Sequence, residues 1–259
     1  VTVYALASAK GSPGVSTVAA ALAACWPSPA VLADVDPSGG DVMWRLRART
    51  GGPLDPDRGL LSLGAAVRRG AARAELAEHL QQSALGVDVL VGLASPDQLA
   101  GLGAAWGQLP AVFAKHRTDV LVDCGRVVPG SSAMPVLAGA DVVVLVVRPD
   151  ISGTAHLRER LRSLRATAGI GGPGGRPVGV IVTTSYRDTR SASDLQQLFD
   201  AERLGVKVLG IAADDPKAAM ILTGERAGQF RKTLLGRSAI QLAQKLGSGS
   251  RTPDLANGR

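Results

Sequence analysis

Seven short apolar runs set the strongest limit on how this chain can fold: Val1 to Ser8, Ala30 to Val35, Val87 to Val91, Val120 to Asp123, Asp141 to Val147, Val178 to Thr183 and Val206 to Ile211. A strand with one wet face alternates, so an unbroken run reads as a strand covered on both faces, the condition of a parallel sheet between helical layers. The stretches between the runs supply those layers. Helical patterns cover Val18 to Trp26, Leu60 to Arg69, Ala74 to Gln82, Asp97 to Lys115, Thr154 to Ala168, Ser193 to Phe199 and, in pieces, Pro216 to Leu246. Strands alternating with helices imply right-handed crossovers and a single α/β domain, with a mostly parallel sheet flanked by helices on both faces. At 259 residues and 46% hydrophobic the chain has enough apolar surface for one such core, which excludes wholesale disorder. The domain is expected over residues 1–246, with the Gly/Ser/Pro-rich end, 247–259, as a flexible tail.

Composition removes other classes. The longest run of large apolar residues, Val142 to Val147, is bounded by Asp141 and Arg148. It falls far short of the ~20 residues that span a bilayer, so no integral membrane association is expected. Two cysteines, Cys25 and Cys124, and no signal-peptide pattern point to a reducing cytoplasm. Charge is uneven along the chain. Residues 1–150 hold 12 Lys and Arg against 13 Asp and Glu, whereas residues 151–259 hold 17 against 9. A basic second part suits DNA or an acidic protein face, although a compositional bias toward Arg would leave the same charge simply solvated. On the helix Thr154 to Ala168, Leu157, Leu161 and Leu164 form the stripe for the core. Arg158, Arg162 and Arg165 share another face, either a partner or DNA surface or a solvated one.

Open parallel sheets bind ligands beyond the carboxyl ends of their strands. Three such ends carry chemistry. The first is Ala9-Lys10-Gly11-Ser12-Pro13-Gly14-Val15-Ser16-Thr17, between the first strand and the first helix. Its glycines let successive N–H groups turn inward and the helix adds its positive end, both suited to a phosphate chain. An ordinary phosphate loop reads G-x-x-x-x-G-K-[ST]. Here Ser16 keeps the hydroxyl, Val15 stands where the lysine belongs and Ala9 where the first glycine does. The second end is Asp34-Val35-Asp36-Pro37-Ser38-Gly39-Gly40-Asp41, whose Asp34 and Asp36, two apart in an extended segment, can lean to one side of the sheet. A dinucleotide site would also place an acid here, but it needs G-x-G-x-x-G, which Gly11-Ser12-Pro13-Gly14 does not provide. The third is Asp119 to Gly125, an apolar strand ending in Asp123, the arrangement that holds magnesium beside the loop hydroxyl.

Lysine before the glycines, as Lys10-Gly11 followed by Gly14-Val15-Ser16-Thr17, resembles the deviant Walker A loop of the ParA/MinD family of P-loop ATPases. Asp34-Val35-Asp36-Pro37-Ser38-Gly39 resembles that family's switch segment, and the likeness runs through most of residues 1–245. An apolar residue at Val15 is most like the TadZ/CpaE branch, associated with positioning pilus machinery. Members of that branch often carry an extra N-terminal domain; the first strand here opens at residue 1, so that module is expected either to be absent or to lie outside this sequence. The resemblance implies ATP and Mg2+ as ligands, a nucleotide-sandwiched homodimer in which Lys10 reaches the partner's phosphates, and a protein partner within a localised machine. It implies nucleotide contacts from Lys10, Gly11, Ser12, Pro13, Gly14, Val15, Ser16 and Thr17, magnesium held by Ser16, Asp36 and Asp123, and catalytic roles for Lys10 and Asp36. Family members often end the Val178 to Thr183 strand in Asn for base recognition; Thr183-Thr184-Ser185 stand in its place, with Thr184 taken as the nucleotide contact, which puts adenine selectivity in doubt.

A charged hydrogen bond contributes roughly 1.5–3 kcal/mol, so Val15 in place of lysine is expected to weaken nucleotide binding by ~10- to 100-fold. Losing a preorganised donor costs the transition state more, ~10²–10³ in rate. A slow ATPase acting as a positional switch, a non-hydrolysing scaffold and a DNA-binding partition protein all remain open on the sequence. Other constellations are weaker. His79, His116 and His156 are separated along the chain, and Cys124 is isolated, so neither zinc nor a nucleophilic triad is indicated.

Overall fold

A computed structural model describes residues 1–171 and 174–248. In chain order the elements are β1 (Val3–Ser8), α1 (Val15–Cys25), β2 (Ala30–Asp34), α2 (Val42–Arg45), α3 (Leu60–Gly70), β3 (Gln81–Gln82), β4 (Asp88–Leu90), α4 (Leu99–Leu102) and α5 (Leu109–Ala114). They continue with β5 (Asp119–Arg126), α6 (Met134–Gly139), β6 (Val142–Val147), α7 (Ile151–Ala168), β7 (Val178–Thr184), α8 (Ser191–Ala201), β8 (Lys207–Ala213), α9 (Pro216–Leu222) and α10 (Leu234–Ser248). The strands form one sheet in the order β3-β4-β2-β5-β1-β6-β7-β8, parallel except for the antiparallel edge strand β3.

Burial follows the unbroken apolar runs. On β1, Val3, Ala5 and Ala7 join one core with α3 and α5 to α8, while Tyr4 and Leu6 join a second core with α1, α9 and α10. Inner strands such as β1 and β6 therefore lose both faces to helices. The alanine-rich α1 lets α10 approach closely, so that the Cys25 Sγ lies 3.8 Å from the Gly236 carbonyl oxygen.

Four expectations change in the structure. The segment Ala74 to Gln82 is not a helix but short 3-10 turns followed by β3, because Gln81 is held by Asp55, whose N–H it accepts at 2.8 Å and whose carbonyl it donates to at 2.7 Å. Asp97 to Lys115 breaks into short pieces at Gly103, whose φ of 47° leaves the helical region. Val120 to Asp123 runs on to Arg126, and α10 runs on to Ser248; the rest of the expected tail lies outside the described residues.

Candidate functional site

The carboxyl end of β1 feeds a loop in which Gly11 (φ 66°) and Gly14 (φ 92°) both take the left-handed conformation that glycine adopts freely. Gly14 immediately precedes α1, and no side chain caps that helix. The first N–H groups of α1 are thus left for a ligand, with the positive end of the helix behind them. Gly11, Ser12 and Lys10 are exposed, and Gly14, Ser16 and Thr17 partly so. Pro13 and Val15 are buried. Val15, 6% exposed, is part of the core beneath the loop, so its position contributes packing and no charge.

Beside the loop, β2 and β5 bring their aspartates together. Asp34 and Asp123 are register partners on adjacent parallel strands, and both are fully buried. Asp34 accepts N–H bonds from Asp36 at 3.2 Å and Val42 at 3.1 Å, shaping the turn from β2 into α2. Gly40 and Gly92 sit so close that a methyl group on either would collide with its carboxylate. Burial first, and then the charge of Asp123, pushes Asp34 well above the usual carboxylate range. Asp34 is a structural post of the turn from β2 into α2.

Asp123 is different. Its Oδ1 accepts the Gly125 N–H at 2.9 Å, while its buried Oδ2 has no hydrogen-bond partner. Burial raises it to about 6, although the Ser16 hydroxyl and the Gly125 amide pull the other way. Asp36, partly buried and raised by burial, accepts the Ser38 N–H at 2.8 Å. Its carboxylate rests on Gly125, where a Cβ would lie 1.9 Å from Oδ2. The register explains the contact. From Leu6 to Ser8 on β1, β5 advances from Asp123 to Arg126, a bulge whose Gly125 (φ 61°) brings bare backbone up to Asp36.

Among the described residues, no three His, Cys, Asp or Glu side chains are grouped to hold a metal by themselves. The set fits magnesium all the same. Mg2+ keeps several waters and takes one or two carboxylates together with substrate phosphates, and an unpartnered buried carboxylate oxygen beside a serine hydroxyl is a donor pair of that kind.

On the other side of the loop a cavity of about 110 Å³ opens between Pro13, Gly14, Thr17, Thr183 and the Ala212–Pro216 segment. Arg148 closes it by pairing with Asp214 at 3.3 Å. Thr184, the residue singled out for nucleotide contact, donates its hydroxyl to Asp188 at 2.8 Å. The hydroxyl without a partner at this wall belongs to Thr183.

The structure thus brings Lys10 to Thr17, Asp36 and Asp123 to one end of the sheet. It does not gather the arginine stripe into a free basic face. Arg158 and Arg162 both pair with Glu202, the latter at 2.8 Å, leaving Arg165 exposed beside them. A run of sequence does not reveal such a pair, because Glu202 lies 40 residues beyond Arg162. Sequence reading also missed the Arg148–Asp214 closure and the role of Gly125; only the second had a local signal, a glycine two residues after a strand-end aspartate.

Solved structures share this architecture across nearly the whole chain. A ParA family ATPase from Chlorobium tepidum TLS superposes with a TM-score of 0.71 at 18% identity, covering 93% of this chain and 98% of that one. The fold is that of the ParA/MinD ATPases. The septum site-determining protein MinD of Pyrococcus horikoshii OT3, solved with Mg-ADP, gives 0.70 at 18% identity over 100% and 99% of the two chains. A cobyrinic acid a,c-diamide synthase from Mycobacterium smegmatis, with bound ADP and magnesium, gives 0.65 at 17% over 97% and 96%. No family model and no curated protein matches the sequence. The ParA/MinD fold therefore hosts more than one chemistry at this level of likeness, and function has to be argued from the site. Among the described residues no helix is long and apolar enough to cross a membrane.

Proposed function

We propose that this protein binds ATP with Mg2+ through a degenerate Walker A loop and acts as a nucleotide-dependent dimeric switch that positions a protein machine, hydrolysing ATP slowly. The observation that carries the reading is the pairing of an uncapped helix start with a buried, unpartnered Asp123 oxygen beside Ser16. The first suits phosphate and the second suits a hydrated cation bridging to that phosphate. Lys10, Gly11, Ser12, Pro13, Gly14, Val15, Ser16 and Thr17 form the phosphate cradle, with Ser16, Asp36 and Asp123 on the magnesium side. The cavity at Thr183 takes the base. That the structurally similar MinD was solved with Mg-ADP supports the same ligand class here.

The dimeric part of the reading rests on the surface around the cradle. Lys10 is exposed and, among the described residues, makes no hydrogen bond or ion pair, so its ammonium is available to a facing subunit. Trp44 is 69% exposed and Ile151 92%, both in segments that come after strand carboxyl ends. A facing subunit that closed over this end of the sheet would cover both. The TadZ/CpaE-like role is the finer part of the proposal and follows from the sequence of the loop.

A fluorescent ATP analogue titrated with Mg2+ tests it. Saturable binding that promotes dimerisation in sedimentation, with dimerisation lost in Lys10→Ala, is the expected result; no saturation at millimolar nucleotide would sink the reading. Turnover abolished by Asp36→Ala would assign residual hydrolysis. A second reading, a scaffold without turnover, is favoured by one observation: Val15 is core, so the loop's own lysine function is gone. The DNA-binding alternative is weakened by the commitment of Arg158 and Arg162 to Glu202.

A further inference from the structure

Four aspartates, Asp34, Asp36, Asp41 and Asp123, surround the switch segment and the start of α1, and their mutual repulsion raises Asp36 and Asp123 further. A phosphate chain arriving there needs positive charge close by. The residue at the lysine position cannot give it, since Val15 is buried core. A different cation touches the loop. Arg45, from α2 and 28 residues further along the chain, donates from Nη1 to the Thr17 hydroxyl at 3.3 Å. The other edge of its guanidinium is held by Asp41, with Nε at 3.1 Å and Nη2 at 2.8 Å from one carboxylate oxygen. Arg45 and Thr17 also line one narrow crevice with Ser16, between α1, α2 and α9.

We propose that Arg45 is the phosphate-binding cation of this site, supplying from α2 the charge that Val15 withholds, and that Asp41 holds it beside the loop until the nucleotide arrives. The inference rests on the nucleotide-binding reading above. Arginine suits the task because its planar fork can keep one edge on a carboxylate while offering the other to a phosphate oxygen. Thr17 lies in the first turn of α1, whose amides are uncapped, so a guanidinium at its hydroxyl is already at the mouth of the cradle. The unpartnered Asp123 oxygen at the neighbouring Ser16 independently marks the same turn as a place for a ligand. Arg45 and Asp41 are 46% and 54% exposed, so exchanging one partner for another disturbs no packing. The division of labour is then clear: Arg45 acts within its own subunit, and Lys10, exposed before the glycines, is left to reach a second one.

Titration of wild type and variants with a fluorescent ADP analogue and Mg2+ at low ionic strength tests this. Arg45→Ala is expected to weaken binding about 10- to 100-fold and to flatten its salt dependence. Arg45→Lys should recover only part of the loss, because a point charge lacks the fork. Asp41→Asn should tighten binding by freeing the guanidinium. The thermal midpoint should barely move in any of the three, since the pair faces solvent, which separates a ligand contact from a structural one. Saturable wild-type binding with Arg45→Ala within about twofold of it would overturn the role of Arg45 and leave the nucleotide-binding reading intact. Failure of the wild type to bind would overturn both. Unchanged binding in Asp41→Asn would overturn the holding role of Asp41.

Discussion

On one side of β1, the ends of β2 and β5 bury their aspartates with too few donors. On the other side, the segments after β6, β7 and β8 give theirs more than enough. Asp150 accepts the Gly153 N–H at 2.6 Å and the Ser152 hydroxyl at 2.9 Å, capping α7; the Gly153 bond first, then Ser152, holds its carboxyl below the usual range. Asp188 is lowered by Ser191 first and then by the Thr184 hydroxyl and the Arg190 amide. Asp215 caps α9 through the Ala218 N–H at 3.0 Å. Asp34, Asp36 and Asp123 are all raised, by burial above all. Identical side chains at equivalent strand ends therefore do opposite things. The capped ones hold helices and loops in place; among the buried ones Asp34 also holds a turn, while Asp123 keeps an unpartnered oxygen whose charge a cation can relieve.

The largest effect is expected from Gly125→Ala, which adds a Cβ 1.9 Å from Asp36 Oδ2 at a left-handed φ of 61°. Strain plus overpacking predicts a loss of about 2–5 kcal/mol, read from the urea midpoint. Gly11→Ala, also at positive φ but with open space around it, should lose only the ~1–2 kcal/mol of the backbone conformation.

Asp123→Asn is expected to act in two directions at once. With its folded value near 6, against about 4 for an ordinary aspartate, ionised Asp123 costs the nucleotide-free protein on the order of 3 kcal/mol at neutral pH. The neutral isostere should therefore raise the thermal midpoint without ligand and abolish the stabilisation that Mg-nucleotide confers. A lower midpoint without ligand would show Asp123 to be an ordinary structural acid.

The pH dependence has the same sign. A carboxyl raised in the folded state makes that state bind more protons, so Asp123 adds stability as pH falls from above 6 toward 4, and Asp34, also raised, acts in the same direction. His79 and His116 oppose them: burial lowers both, so their contribution falls as pH drops below about 6.5. Urea midpoints of the double variant His79→Gln, His116→Gln should show the acid-side gain more fully than wild type, and Mg-nucleotide should shrink it by competing with the proton. The smallest effect is expected on the capped side, where Asp215→Ala should cost about 1 kcal/mol in chemical denaturation.

Much of the site was legible because the carboxyl ends of parallel strands are where chemistry collects. Lys10 to Thr17, Asp36 and Asp123 could be placed from the apolar runs and the residues just past each of them. Short amphipathic stretches were less legible. In Ala74 to Gln82, the bond of Gln81 to Asp55 outweighed helical patterning, which is weak over so few residues. The arginine stripe on α7 was visible as a pattern, but its neutralisation by Glu202 was not.

By itself, the sequence determined the layered α/β fold, since unbroken apolar strands must be covered on both faces, and it determined which strand ends carry acids and glycines. Tertiary structure alone decided that Gly125 bulges into Asp36, that Asp123 keeps an oxygen without a partner, and that Arg45 arrives at Thr17. Periodicity and local turn chemistry act over a few residues and can be read along the chain. Charge, burial and close approach between segments tens of residues apart exist only once the sheet has set their register.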